Sequence, residues 1–317
     1  MSVVTKLRVL AAVDGSKHAE AAVEFLYALK FGEETEITLL TVVEPVRTIY
    51  AAGDPLLGPE VYRLMEEYLA AQEAEAAEYL SQLAARLREF GARTETLVLT
   101  GHPADEVVKV ATERRADLVV MGARGLNPIL SWLLGSVSHH VVRYAPCSVL
   151  VVKLREGKAP IPSGHPWRIL LAADPTPYSA FATDLVNRLP FSPDTEVRVL
   201  VVVQQLGRPK PEQAEVRQVW EAMAEAEERS AQALAERLAE RLQARYPKAA
   251  AELRLGDPAN EALKFAREWP ADLVVVGARG TSARKDVPLG SVAVKILGHA
   301  PCPVLVARPP QFTPTST

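Results

Sequence analysis

Asp117-Leu118-Val119-Val120-Met121, running into Gly122-Ala123-Arg124-Gly125 and then, after nine further residues, Gly135-Ser136, is the stretch that decides how this chain is read. The apolar run is short and β-branched enough for a buried parallel strand, so the glycines begin where a strand ends. Val137, Val141 and Val142, set among Ser138, His139, His140 and Arg143, put valines on one side of a following helix. The expected geometry is strand, glycine loop, helix. Glycines let backbone amides approach an anion with no Cβ in the way. Gly135-Ser136 adds N–H groups and a hydroxyl at a helix start, where the dipole favours negative charge. The stretch reads as a phosphate cradle.

The same pattern occurs twice. Asp272 to Val276 leads into Gly277-Ala278-Arg279-Gly280, and nine residues later Gly290-Ser291 opens a helical pattern with Val292, Val294, Ile296 and Leu297. Duplicated tight turns would leave a similar signature, but two copies with one long spacing, each behind a buried-strand pattern, favour a site.

The rest of the chain follows the same plan. Its 317 residues suggest two domains, and 48% hydrophobic with 24% charged residues describes an ordinary globular protein. A net charge of −3 provides no basic field for nucleic acid, so any anion binding is local. Cys147 and Cys302 each follow Ala-Pro and suggest neither zinc nor a disulfide framework. No leader is expected at the N-terminus and no run of about 18 apolar residues occurs, which points to a cytoplasmic protein.

Leu7–Val13 reads as a first strand ending at Asp14-Gly15-Ser16, with Ser16 as a helix cap. Strand two is expected over 36–43, a loop through Pro59, a long helix over 60–90, strand three over 94–99, a helix over 104–114 and strand five over 148–153. The second half repeats these segments, at an offset of 160 up to strand two and 155 afterwards. The expected domains are 1–154 and 167–308, joined by a linker over 155–166 and followed by a flexible tail over 309–317. Strands alternating with helices call for a parallel sheet, with ligands at the strand C-termini where the order reverses.

These residues resemble a known family. From Val9-Leu10-Ala11-Ala12-Val13-Asp14-Gly15-Ser16, through both glycine motifs, to Ala300-Pro301-Cys302-Pro303-Val304-Leu305-Val306, the chain looks like a tandem universal stress protein of the ATP-binding-motif type. The resemblance implies two tandem open five-stranded parallel α/β sheets, Rossmann-like and in the order 3-2-1-4-5. It implies an adenine nucleotide, ATP or AMP or ADP, with magnesium as an optional companion. Its phosphates would lie on Gly122, Arg124, Gly125, Gly135 and Ser136, with Asp14 near the ribose or base and Val42 or Val43 beside adenine. In the second half the phosphate role would fall on Gly277, Arg279, Gly280, Gly290 and Ser291, and the adenosine role on Asp174. It also implies a pseudo-dimer within the chain, through Val149–Val152 and Val304–Ala307, and leaves a homodimer open.

The second half departs from the pattern at Asp174-Pro175-Thr176-Pro177, where Asp14-Gly15-Ser16-Lys17 stands in the first. Pro175 fixes φ and removes an N–H, while Thr176 is still expected to cap a helix. The first site therefore ranks above the second, although Arg284 and Lys285 lie in the second loop. Asp14 and Asp174 are also ordinary turn residues, and Arg124 and Arg279 are equally suited to solvent or to bridging the domains. His139 and His140 do not share a helix face, His102 and His299 stand alone, and no metal site is assigned. Trp132 reads as packing. No Walker-type lysine motif or catalytic residue is assigned, which leaves a nucleotide-binding regulator first, a ligand-free interaction scaffold second, and slow ATP hydrolysis open.

Overall fold

The computed structural model describes residues 6–45, 58–89, 91–125, 134–154, 166–204, 214–281 and 287–311. It divides into two compact units, Met1–Val152 together with Pro310–Thr317, and Lys153–Pro309. The first contains β1 (Leu7–Ala12), α1 (Lys17–Leu29), β2 (Thr35–Val43), α2 (Pro59–Arg88), β3 (Arg93–Thr100), α3 (Pro103–Glu113), β4 (Leu118–Gly122), α4 (Ser136–Tyr144) and β5 (Ser148–Val152). The second contains β6 (Arg168–Ala173), α5 (Pro177–Arg188), β7 (Glu196–Val203), α6 (Ala214–Gln243), β8 (Ala250–Leu255), α7 (Pro258–Glu268), β9 (Leu273–Gly277), α8 (Ser291–His299) and β10 (Val304–Ala307).

Within the first unit the strands lie in the order β3-β2-β1-β4-β5, and β1 pairs in parallel with both β2 and β4. Within the second the order is β8-β7-β6-β9-β10, with β6 parallel to β7 and β9. Strand composition follows position. β4 and β5 are buried along their whole length and consist almost entirely of Leu, Val and Met, whereas edge strand β3 alternates exposed Arg93 and Glu95 with half-buried Thr94.

An aspartate fixes the neighbour relation that matters most. Asp117, just before β4, accepts the Arg8 N–H on Oδ2 at 2.9 Å and donates its own N–H to the Arg8 carbonyl at 2.8 Å. Asp272 makes the same pair with Arg168 at 2.9 and 2.8 Å. Each clasp sets β4 or β9 beside the first strand of its unit, so the crossover reverses there and the carboxyl ends of the two strands open side by side.

The helices are tied to one another by buried tyrosines. Tyr27 of α1 donates to the Leu83 carbonyl of α2 at 3.2 Å, and Tyr246, past the end of α6, donates to the Val186 carbonyl of α5 at 2.9 Å. The end of the chain returns to the first unit, where the Gln311 N–H donates to the Pro146 carbonyl at 2.7 Å.

Candidate functional site

Ser16 does what its position in the sequence suggests. It caps α1 by accepting the Ala19 N–H at 3.2 Å, and its hydroxyl also donates to the Arg124 carbonyl at 3.2 Å. The turn that leads into α1 is thereby fastened to the glycine segment. Asp14 lies at the exposed mouth of this arrangement and accepts the Ser16 N–H on Oδ1 at 3.0 Å. Among the described residues its Oδ2 has no hydrogen-bond partner.

The glycines have a steric reason that their sequence does not show. A Cβ on Gly122 would lie 2.6–2.8 Å from three atoms of His18 and Ala19 in the first turn of α1, and a Cβ on Gly125 would lie 2.6 Å from Asp14 Oδ2. Gly280 repeats the second relation, with Asp174 Oδ2 2.8 Å away, and Gly277 presses on the Tyr178 Cβ at 2.8 Å. Approach to an anion is therefore not needed to explain Gly122; the start of α1 already occupies the space a side chain would take.

The glycine segment is closed on itself. Gly135 N–H donates to the Ala123 carbonyl at 2.9 Å, and buried Ser138 donates to the same carbonyl at 2.8 Å. Gly290 N–H and the Ala278 carbonyl repeat the first bond at 2.8 Å. These bonds bring Gly135 and exposed Ser136 back to Gly122–Gly125 across the intervening residues. Gly135 and Gly290 cap α4 and α8 without a side-chain hydrogen bond, and neither first turn holds an acidic residue. The leading N–H groups of both helices thus keep their affinity for an anion.

Charge at the first site converges on His18. Burial lowers its pKa, the Arg124 guanidinium lowers it further, and Asp14 partly restores it. Asp14, His18 and Arg124 therefore share one edge. The end of β2 joins them through the Thr41 hydroxyl, which donates to the Val13 carbonyl at 2.9 Å. Val42 and Val43 are half-buried there, and the Val43 carbonyl already accepts the Gly101 N–H at 3.1 Å.

The second site differs at its aspartate. Asp174 Oδ1 accepts from the Thr176 N–H at 3.2 Å, the Ser179 hydroxyl at 2.8 Å and the Thr176 hydroxyl, while Oδ2 accepts the Thr281 N–H at 3.0 Å. Thr176 is the N-cap of α5, but its side chain makes no capping bond, which corrects the expectation from sequence: the nearer carboxylate takes the hydroxyl. Ser179 stands where the first half has Ala19, a difference that could have signalled the closed carboxylate in advance.

Other singled-out residues are placed as follows. His102 Nδ1 lies 3.1 Å and His140 Nε2 3.4 Å from the Asp105 carboxylate, so His140 joins α4 to α3. His299 Nδ1 is 3.0 Å from the Lys295 carbonyl. Among the described residues no group of three or more His, Cys, Asp or Glu could hold a metal ion, and both cysteines are buried and form no disulfide. No described helix is long and apolar enough to cross a membrane. Trp132, Arg284 and Lys285 lie outside the described residues.

The comparisons with known proteins agree with one another. The model of the universal stress protein family matches residues 7–153 and again 167–308. A universal stress protein of Mycolicibacterium smegmatis is 30% identical over 310 residues, which cover 96% of this chain and 98% of that protein. One from Thermus aquaticus, about half as long, is 34% identical over 145 residues, 46% of this chain and 97% of its own length. The crystal structure of a universal stress protein from Archaeoglobus fulgidus shares the fold, with a TM-score of 0.60 at 20% identity, over 96% of this chain and 97% of that one. With a family domain in each half, the chain belongs to the universal stress protein family.

Proposed function

We propose that the first unit binds an adenine nucleotide at the carboxyl edge of its strands and that the chain is a cytoplasmic, nucleotide-responsive regulator rather than a turnover enzyme. The observation that carries this reading is the contrast between the aspartates: among the described residues Asp14 Oδ2 meets no donor, whereas both oxygens of Asp174 accept hydrogen bonds. We read each unit as a Rossmann-like sheet of five strands with one site. In the first, the opening N–H groups of α4 at Gly135 and Ser136, the Gly122–Gly125 segment and Arg124 take the phosphates of ATP, ADP or AMP. Asp14 takes the ribose hydroxyls, which need an acceptor, and Val42 and Val43 flank the base. Since the Val43 carbonyl is already paired, its contribution is apolar contact.

Magnesium, if bound, would be carried on the phosphates, because the described residues gather no ligand cluster of their own. In the second unit Gly277, Arg279, Gly280, Gly290 and Ser291 retain the phosphate end, while Asp174 is consumed by its own turn. The steric role of the glycines favours a second reading, a scaffold of the same fold without ligand.

Calorimetric titration of nucleotide-stripped protein with ATP and magnesium separates the two. Asp14→Asn is the informative variant, since Asp14 is exposed; Gly122→Val would displace α1 and confuse ligand loss with fold loss. The expected result is binding near one equivalent, weakened about tenfold or more by Asp14→Asn and unchanged by Asp174→Asn, as suits a hydrogen bond to a charged group. Absence of heat and of co-purified nucleotide would leave the scaffold.

A further inference from the structure

Tyr79 carries a hydroxyl that the fold does not use. The residue is half-buried in α2, one position before fully buried Leu80, and its oxygen is buried without a hydrogen-bond partner among the described residues. An unpaired buried hydroxyl is costly, so it calls for a partner. Its place follows from the register of two helices. α1 and α2 each leave the carboxyl end of a parallel strand and run back along the sheet. Contacts from Tyr27 to the Leu83 carbonyl at 3.2 Å and from Arg86 to Glu24 at 3.1 Å hold them side by side. Tyr79 lies one turn before Leu83, towards the carboxyl edge, and helical side chains lean towards the N-terminus of their helix. That brings its ring to the first turn of α1, on the side of Asp14. The electrostatics agree: burial raises the pKa of the phenol, and the carboxylates of Glu20 and Asp14 raise it further, which keeps the proton on the oxygen at neutral pH. Asp14 Oδ2 meets no donor among the described residues, and the phenol and the carboxylate are not bonded to each other.

In the second unit both features change together. At the offset of 155 the position of Tyr79 holds Leu234, and there both oxygens of Asp174 accept hydrogen bonds. A phenol thus accompanies the aspartate whose Oδ2 meets no donor, and a leucine accompanies the aspartate that is closed. We propose that Tyr79 is a specificity-determining residue of the first site, its hydroxyl donating to a ribose hydroxyl that in turn donates to Asp14 Oδ2. The inference rests on the nucleotide reading above and adds which part of the ligand is read, namely the sugar. A donor and an acceptor that stand close without bonding are both satisfied by a group that accepts from one and donates to the other. A hydroxyl does this. A deoxy position does not, and it leaves the phenol and the carboxylate unpaired. Sites built to hydrogen-bond a hydroxyl reject the analogue lacking it more strongly than an apolar pocket rejects one methylene.

Titrations of the nucleotide-stripped full chain and its Tyr79→Phe variant with ATP, AMP, 2′-deoxy-ATP and 3′-deoxy-ATP test this. The wild type should prefer ATP over at least one of the deoxynucleotides by about tenfold or more. Tyr79→Phe should reduce that preference about fivefold, the weight of one hydrogen bond from a neutral group. It should weaken ATP and AMP by the same factor, because the phosphates are not touched, and leave the rejected deoxynucleotide as it was. The urea midpoint of ligand-free Tyr79→Phe should be no lower than that of the wild type, because the substitution removes an unpaired buried group. Weaker binding is then not loss of fold. Three results would overturn the inference while leaving nucleotide binding in place: an unchanged preference, an equal weakening of ATP and both deoxynucleotides, or a lowered ligand-free midpoint, which would mean that the hydroxyl is bonded within the fold. A wild type that binds none of the four would overturn the nucleotide reading itself, and the role of Tyr79 with it.

Discussion

Replacing Gly122 by alanine separates a glycine required by the fold from one required by a ligand. The added methyl carbon would lie 2.6 Å from the carbonyl carbon of His18, 2.7 Å from its Cβ and 2.8 Å from the Ala19 nitrogen. Two of these atoms are backbone, so no rotamer change relieves them. Neither can α1 retreat freely: Ala19, Ala22, Val23 and Phe25 are at most 2% exposed, and Ser16 fastens the start of the helix. Restoring ordinary contact distances requires a displacement of about 1 Å, and forcing a methyl group into a packed interior costs about 1–3 kcal/mol. With a urea dependence of about 2 kcal/mol per molar, the unfolding midpoint of the first unit should fall by about 0.5–1.5 M. Urea unfolding followed by circular dichroism measures the shift, and hydrogen exchange in α1 and β4 assigns it to that unit, because a chain with two units has no single two-state transition. Gly277→Ala meets one contact under 3 Å, the Tyr178 Cβ, and should cost less. A Gly122→Ala midpoint equal to wild type, with unchanged exchange in α1, would refute the steric account and return the glycine to the ligand.

Gly298 lies inside α8 with nothing within 4 Å of its would-be Cβ, so Gly298→Ala should raise stability by about 0.5–1 kcal/mol in the same experiment on the second unit. Tyr246 is fully buried and donates to the carbonyls of Val186 and Leu189, so Tyr246→Phe should cost about 1–2 kcal/mol, read from the melt at neutral pH. Burial pushes its pKa up to about 12, which makes the folded state resist ionisation: its contribution is intact below about pH 10, where the unfolded phenol titrates, and is lost as pH rises towards 12. The phenylalanine variant should show a flatter alkaline limb. At His18 the folded pKa is lowered, first by burial and then by Arg124, so the unfolded chain binds the proton more readily. Stability is complete above about pH 6.5 and declines as pH falls through it, and His18→Asn should remove part of that acid slope in urea titrations.

The strand and helix plan was legible because its signals are local. Asp117–Met121 reads as a buried strand from composition alone, and β4 occupies Leu118–Gly122. Ser16 reads as a cap because its position before an apolar period is a sequence property. What was illegible depends on residues far apart. The demand at Gly122 comes from His18, more than a hundred residues earlier, and no spacing rule connects them. The closed state of Asp174 requires Thr176, Ser179 and Thr281 to meet at one carboxylate, and the last of these is too far along the chain to suggest itself. The apolar residues at the starts of α2 and α6 look from sequence like part of a core period, and only their exposure distinguishes them.

The return of Gln311 to Pro146 has a consequence for how the protein is made. The acceptor is synthesised before the second unit and the donor after it. At ordinary elongation rates the interval is of the order of ten to thirty seconds. The first unit can collapse and the second can fold in its turn, yet the bond to Pro146 forms only after the second unit has been made. A fusion placed immediately after Arg308 would therefore leave its mark on the opposite half of the molecule, the half that was translated first.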